Sequence, residues 1–290
     1  MKRLFSIICL IALLLTGCTS DQPQAQIAAT TLPVYEFTYR LCQGTGITVT
    51  RLVTESVSCL HDYSLNVRQV KAAEAAEVVI ISGAGLEEFM EDILDSKNVI
   101  DSSSGIEQLE CATVHDHEHD HGHHHGQDSH IWISPANAKI MAQNICAGLC
   151  VQFPEYEKII KDNLASLLAD LDALQTYGET SLKGLSSREL ITFHDGFGYF
   201  ADCYGLHILE AVEEESGSEA SAQELKHLIG IVREHDLKAI FIETNGSVSA
   251  AEVISRETGV PIYTLDMAMG GDSYFDAMYH NIDTIKEALT

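Results

Sequence analysis

The sequence predicts an α/β protein built as two doubly wound parallel-sheet lobes joined by a single long backbone helix. Three observations carry that fold class. Short apolar strand-like runs alternate with helical segments in both halves of the chain, the pattern of a parallel sheet with helices on both faces. An uninterrupted helical pattern, longer than any other, separates the two halves. The length of 290 residues suits two modest domains or one large one.

Taken in order, the chain begins "MKRLFSIICLIALLLTGC". Lys2 and Arg3 precede an apolar run from Leu4 to Leu15 that is too short to span a bilayer as a mature helix. The run closes on "LTGC", which resembles the bacterial lipobox. Residues 1–17 are therefore expected to be a lipoprotein signal peptide, with Cys18 acylated and residues 18–26 a polar leash. The expected location is the outer, extracytoplasmic face of the cytoplasmic membrane. A first lobe is expected over 27–152. "QIAATTLPVYEFTYRLCQGTGITVTRLV" reads as strand, helix, Gly-containing turn and strand. "SLNVRQVKAAEAAEVVIISGAGLEEFMEDIL" follows as a helix running into the apolar strand "VVIIS". A histidine-rich tract then interrupts the lobe, and "SPANAKIMAQNICAGLCVQFP" resumes with a helix.

The linking helix is expected over 153–184. Ile160, Leu164, Leu167, Leu168, Leu171 and Leu174 keep helical spacing, and about 25 residues would measure roughly 38 Å. The second lobe, 185–290, repeats the alternation. "ELITF", "KAIFIE" and "PIYTL" read as strands. "GFGYFADCYG", "SAQELKHLIGIVREHD", "SAAEVISRETG" and "SYFDAMYHNIDTIKEAL" read as helices, the last with Asp272 or Ser273 as cap.

Composition narrows the function. Lys+Arg 17 against Asp+Glu 43 gives a net charge of −26, a surface that repels phosphate backbones and attracts cations; nucleic acid is excluded as a partner. Eight cysteines include Cys9 in the signal and Cys18 at the anchor. The other six, Cys42, Cys59, Cys111, Cys146, Cys150 and Cys203, contain no CxxC, and their pairing is open. Cys146 and Cys150 lie four apart in an apolar helical pattern and read as core packing.

In open parallel sheets, ligands bind beyond the carboxyl ends of the strands. That rule selects His194, directly after "LITF"; Asp266, directly after "IYTL"; His61, in the loop after "ITVTRLV"; and His130, ahead of the helix that begins near Ser134. Each lobe contributes two residues to one cleft. Three imidazoles and a carboxylate are a borderline-soft set that completes a four-coordinate metal site. Any one of them alone reads as a surface or capping residue; their joint placement makes the set. Glu243, at the end of "KAIFIE", is a candidate partner that orients a ligand histidine, and a structural carboxylate reading stands beside it. His207, His227, His235 and His280 read as structural or surface residues.

The segments "TLPVYEFTYRL", "HDYSL", "DSHIWISPANA", "TFHDGFGYF" and "GDSYFDAMYHNIDTIKEAL" together resemble the metal-binding lipoproteins of bacterial ABC importers for zinc and manganese. The likeness runs in order along nearly the whole mature chain. It implies two α/β lobes bridged by a rigid helix with the metal between them, and a permease as partner. The family's ligand positions fall on His61, His130, His194 and Asp266. One departure is "HDYSLNV", where the family usually has a proline shortly after the histidine; it bears on the shape of that loop. Cys59, two residues before His61, is a rival soft ligand, with a buried or disulfide-bonded thiol as the competing reading.

The tract His115, His117, His119, His121, His123, His124 and His125, interleaved with Asp116, Glu118, Asp120 and glycines, offers no apolar residue to bury. It reads as a loop of weak, adaptable metal sites, and similar loops recur in the zinc-importing members of the family. The expectation is therefore a monomeric, non-enzymatic solute-binding protein that captures Zn2+, with Mn2+ as the alternative ion. Capture needs deprotonated imidazoles, so affinity should fall below about pH 6.5, the ordinary histidine value. A surface adhesin is a second alternative, for which the chain has no adhesive repeat. A zinc hydrolase is a third, but Asp266 fills the position that water would need and no adjacent Glu stands as general base.

Overall fold

Alternation along the strands decides the layering. Ile27, Ala29, Val78 and Ile80 point into one large core, whereas Ala28 and Val79 point to a smaller one with Leu52, Ala73, Ala76 and Met90. The sheet is therefore buried on both faces, as a parallel sheet must be when its crossovers are helical. A computed structural model describes residues 25–55, 60, 63–110, 127–212, 220–244 and 246–290. Cys18, Cys59, His61, Cys111 and the histidine tract fall outside the described residues.

The first lobe runs β1 (Ile27–Ala29), α1 (Leu32–Leu41), β2 (Val49–Arg51), α2 (Val67–Ala75), β3 (Val78–Ile81), α3 (Glu91–Leu94), β4 (Asn98–Asp101) and α4 (Pro135–Gln152). Its strands are parallel in the order β2-β1-β3-β4. The second lobe runs β5 (Glu189–Thr192), α6 (Gly198–Tyr204), β6 (His207–Ala211), α7 (Ala222–Glu234), β7 (Ile240–Glu243), α8 (Ser249–Thr258), β8 (Ile262–Leu265) and α9 (Tyr274–Leu289). Its order, β6-β5-β7-β8, is the same topology again. In each lobe the winding reverses beside the first strand, so the crevice of each sheet opens at the carboxyl ends of β1 and β3, or of β5 and β7. Two strands, β4 "NVID" and β6 "HILEA", are additions to the elements expected from sequence.

Between the lobes lies α5 (Glu157–Ser181), 25 residues long. Ile160, Leu167, Leu171 and Leu174 are fully buried along one face of it, in the same apolar cluster that holds Ile27 and Val78 of the first lobe and Leu190, Phe241 and Ile285 of the second. Gly178 lies inside this helix where Tyr204 packs against it: a Cβ at 178 would lie 2.4 Å from the Tyr204 ring. Phe193, Ile191, Ile240 and Ile242 face outward to a separate core under α7 and α8.

At the first lobe's crevice, a buried carboxylate closes the strand ends. Glu87 accepts hydrogen bonds from Thr30 Oγ1 (2.6 Å), Ser82 N (2.7 Å) and Gly83 N (3.0 Å). Burial pushes its pKa up to about 7 against the pull of those donors. At the second lobe's crevice the equivalent strand ends carry His194 and Glu243.

Candidate metal centre

Two imidazoles from different lobes meet in the cleft. His130 follows the loop after β4 and opens the short turn Ile131–Ile133 that leads into α4. His194 follows β5 by two residues. Both are buried. Their Nε2 atoms stand 3.2 Å apart, with the rings edge to face at 90°.

His130 is held by a residue that the strand-end rule passes over. Asp128 Oδ1 accepts the His130 backbone N–H at 2.8 Å and lies 2.8 Å from His130 Nδ1. A carboxylate only accepts, so Nδ1 carries the proton and Nε2 presents a lone pair toward His194. One proton or one cation fits between the two nitrogens. Asp128 is itself buried, and the second lobe closes over it. Gly198, at the start of α6, leaves room for Asp128 Oδ2, which would sit 2.8 Å from any Cβ there. Tyr199 OH reaches Asp128 O at 3.2 Å and accepts Leu109 N–H at 3.0 Å. The spacing Asp-x-His, which lets a carboxylate bond both the backbone and the ring of the histidine two residues on, was the signal in the sequence.

Asp266 directly follows β8 and is half-buried. Its peptide is bracketed by Asn281 of α9: Asp266 N donates to Asn281 Oδ1 and Asn281 Nδ2 donates to Asp266 O, both at 2.7 Å. Its carboxylate oxygen Oδ1 accepts Ala268 N–H at 2.7 Å, a turn that places Ala268 at φ +54°. Among the described residues, no set of three or more His, Cys, Asp or Glu side chains stands within holding distance of one ion. The structure thus brings His130 and His194 together, with Asp128 behind them, and leaves Asp266 turned onto its own backbone.

Glu243 ends β7 and is buried, one strand over from the end of β5. Gly246 folds back on it, donating to Glu243 O at 3.0 Å. His61 lies outside the described residues, but both ends of its loop are fastened. Glu55 Oε2 accepts from Tyr63 OH (2.8 Å) and from Gln69 Nε2 (3.0 Å). Asn66 caps α2 and forms a capping box with Gln69. In "HDYSLNV", where the family's usual proline is missing, that cap and clamp fix the exit of the loop. The remaining described histidines lie away from the cleft: His227 is near Glu210, His235 near Glu189 and His280 near Thr284, and His207 is exposed at the start of β6. Cys42, Cys146, Cys150 and Cys203 are free thiols. Cys42 and Cys146 are buried, which pushes each thiol up to about 12.

Comparison with known proteins agrees with this architecture. The chain is 29% identical over 287 residues to the high-affinity zinc uptake system protein ZnuA of Bacillus subtilis (strain 168), covering 93% of this chain and 89% of that protein. A crystal structure of ZnuA superposes with a TM-score of 0.80 at 30% identity, covering 92% of this chain and 100% of the other. A ZnuA deletion mutant solved with zinc bound superposes with a TM-score of 0.77 at 29% identity, covering 92% and 98%. The profile of the ZnuA family, the periplasmic zinc-uptake complex component A, matches residues 27–288, and the chain belongs to that family.

Proposed function

We propose that this protein captures a zinc ion in the cleft between its lobes and delivers it to the permease of an ABC importer, with His61, His130, His194 and Asp266 as ligands. The observation that carries the reading is the His130–His194 pair. Zinc–imidazole bonds of about 2.0–2.1 Å from one ion, opened near the tetrahedral angle, put two nitrogens about 3.1–3.4 Å apart; the two Nε2 atoms stand at 3.2 Å. Asp128 on Nδ1 supports it, because a carboxylate there fixes the tautomer and raises the basicity of the ligating nitrogen. Asp266 joins the ion by exchanging its bond to Ala268 N–H for the metal or by sharing the other oxygen. Glu243, buried at the adjoining strand end, is the candidate carboxylate for orienting a ligand histidine. Zinc is the ion of choice because three nitrogens and one oxygen hold it more strongly than manganese. Release follows when the permease draws the second lobe, and with it His194 and Asp266, away from His130. The chain works as a carrier, with no catalytic step.

The decisive experiment is zinc titration of His194→Ala. Loss of one of four ligands, shared between lobes, weakens binding by orders of magnitude; calorimetry showing unchanged tight binding removes the assignment. Native mass spectrometry of stripped protein, retitrated with zinc and manganese together, reads the preference directly.

The proposal extends to the N-terminus: residues 1–17 are cleaved, Cys18 carries lipid, and a monomer is held at the outer face of the membrane by the leash 18–26. Among the described residues no helix is long and apolar enough to cross a membrane, so the anchor rests on "LTGC". Cys18→Ala should abolish lipid labelling and free the protein from the membrane fraction. Membrane association that persists without acylation would make the apolar run an uncleaved anchor. The boundaries 27–152, 153–184 and 185–290 are working limits of the first lobe, linking helix and second lobe.

A further inference from the structure

The chain has one tryptophan, and it stands two residues after His130. Trp132 is wholly buried, and its ring centroid lies 5.4 Å from that of His130. Its indole Nε1 crosses to the second lobe and donates to Met267 O at 2.7 Å. In return Tyr274 OH, from the first residue of α9, donates to Trp132 O at 2.9 Å.

Met267 is the residue after Asp266. Its methyl carbon lies 2.6 Å, and His194 Nε2 3.0 Å, from the point where a Cβ on Gly196 would be. Met267 and His194 thus both press into the space over Gly196, which the absence of a side chain there leaves free. The rest of the segment is fastened to the first lobe as well. Arg51 Nη1 donates to Gly271 O at 2.8 Å, and Tyr274 N donates to Glu36 Oε2 at 2.6 Å.

A buried indole N–H needs an acceptor, and any carbonyl would satisfy it. The carbonyl it uses belongs to the residue between Asp266 and Ala268, while the N–H and C=O of Asp266 itself are held by Asn281. The Asp266–Met267 backbone is thus held twice, by α9 of its own lobe at Asp266 and by the first-lobe tryptophan at Met267.

We propose that Trp132 is a positioning residue that registers the second-lobe segment Asp266–Met267 against His130 through its indole N–H. The tie links the two halves of the site by a protein hydrogen bond one residue from a ligand on one side and two residues from a ligand on the other. Geometry held in this way sets how tightly the ion is kept, because ligands already in place lose little freedom on binding. The inference rests on Asp266 being a ligand.

A double-mutant cycle tests it, with zinc affinity from chelator competition and zinc dissociation rates from stopped flow. The four proteins are wild type, Trp132→Phe, Asp266→Ala and the double variant. Removal of the partner behind a ligand costs about 10–100-fold in metal affinity. Trp132→Phe is expected to weaken zinc by that amount, through faster dissociation, while the same change in the Asp266→Ala background adds less than twofold. The inference is overturned if Trp132→Phe stays within twofold of wild type, or if it costs the same with and without Asp266, as loss of core packing would. Wild-type affinity in Asp266→Ala alone would overturn the ligand assignment itself, which the single variant reveals separately. Because the chain has a single tryptophan, growth on a benzothienyl analogue that keeps the ring shape and lacks the N–H gives a second, better-packed substitution. The same criteria apply to it should Trp132→Phe fail to fold.

Discussion

At the scale of single residues, the cleft depends on which nitrogen of His130 carries the proton. Asp128 settles that by accepting from both the backbone N–H and Nδ1 of the same histidine. Asp128→Asn keeps the volume and retains an oxygen for the backbone bond, but the charge that makes Nε2 a strong donor is gone. Zinc affinity is expected to fall about 10–100-fold with little change in thermal midpoint, measured by chelator competition alongside calorimetric unfolding. Affinity equal to wild type would mean that the carboxylate only shapes the turn. His194 was legible in the sequence because it follows a strand end, where open parallel sheets bind ligands, and His130 because it lies in the loop just ahead of the helix that begins near Ser134. Asp128 and Trp132 were legible only in part. Their value lies in what they touch: Trp132 and Met267 are 135 residues apart, and nothing local announces that bond.

At the scale of elements, α5 and the strands show what pattern can and cannot convey. The leucine spacing announces the helix and its buried face, and the buried residues Ile160, Leu167, Leu171 and Leu174 fall on it. Leu164 and Leu168, on the same pattern, pack only at the margin of the core. Strands β1, β3, β5 and β7 are central, and the apolar runs of β3 and β7 gave them away. The edge strands β4 and β6 did not read as strands, for a physical reason. Of β4 only Ile100 is buried, and of β6 only Ala211. An edge strand covered on one side carries polar residues and no continuous apolar run. Gly178 shows the opposite case, a glycine kept inside a helix by packing. Alanine there would gain up to about 1 kcal/mol in helix propensity, yet its Cβ would overlap the Tyr204 ring, and overpacking of this kind costs about 1–3 kcal/mol. Gly178→Ala is expected to lower stability on balance, read as a lower urea midpoint with an unchanged slope. A stabilised variant would show that Tyr204 can shift freely, and that α5 is less tightly keyed to the second lobe than its contacts indicate.

At the scale of the whole molecule, one apolar core runs from the first lobe through α5 into the second, while the polar cleft lies at the strand ends of both sheets. The chain around that cleft carries a net charge of −26, a field that concentrates cations. The histidine tract belongs to this scale. It lies outside the described residues, but its flanks are described: Glu110 and Gln127 pair in an isolated antiparallel bridge, so the tract leaves and re-enters the lobe at one place. Gln127 is followed directly by Asp128 and, two residues later, by His130. An ion bound in the tract, as the sequence leads one to expect, would be tethered through Gln127 to the stretch of chain that carries His130, at a raised effective concentration. A glycine-spaced stretch with no apolar residue to bury is expected to pay more conformational entropy on binding an ion than ligands carried by folded lobes, so its sites should be the weaker ones. Deleting residues 115–125 leaves Glu110, Gln127, Asp128 and His130 in the chain. The shortened protein is expected to lose its weak, multiple zinc sites in calorimetry and to keep one tight site of wild-type affinity, with growth impaired only when zinc is scarce. Abolition of the tight site by that deletion would make the tract the working site and the His130–His194 pair a structural contact.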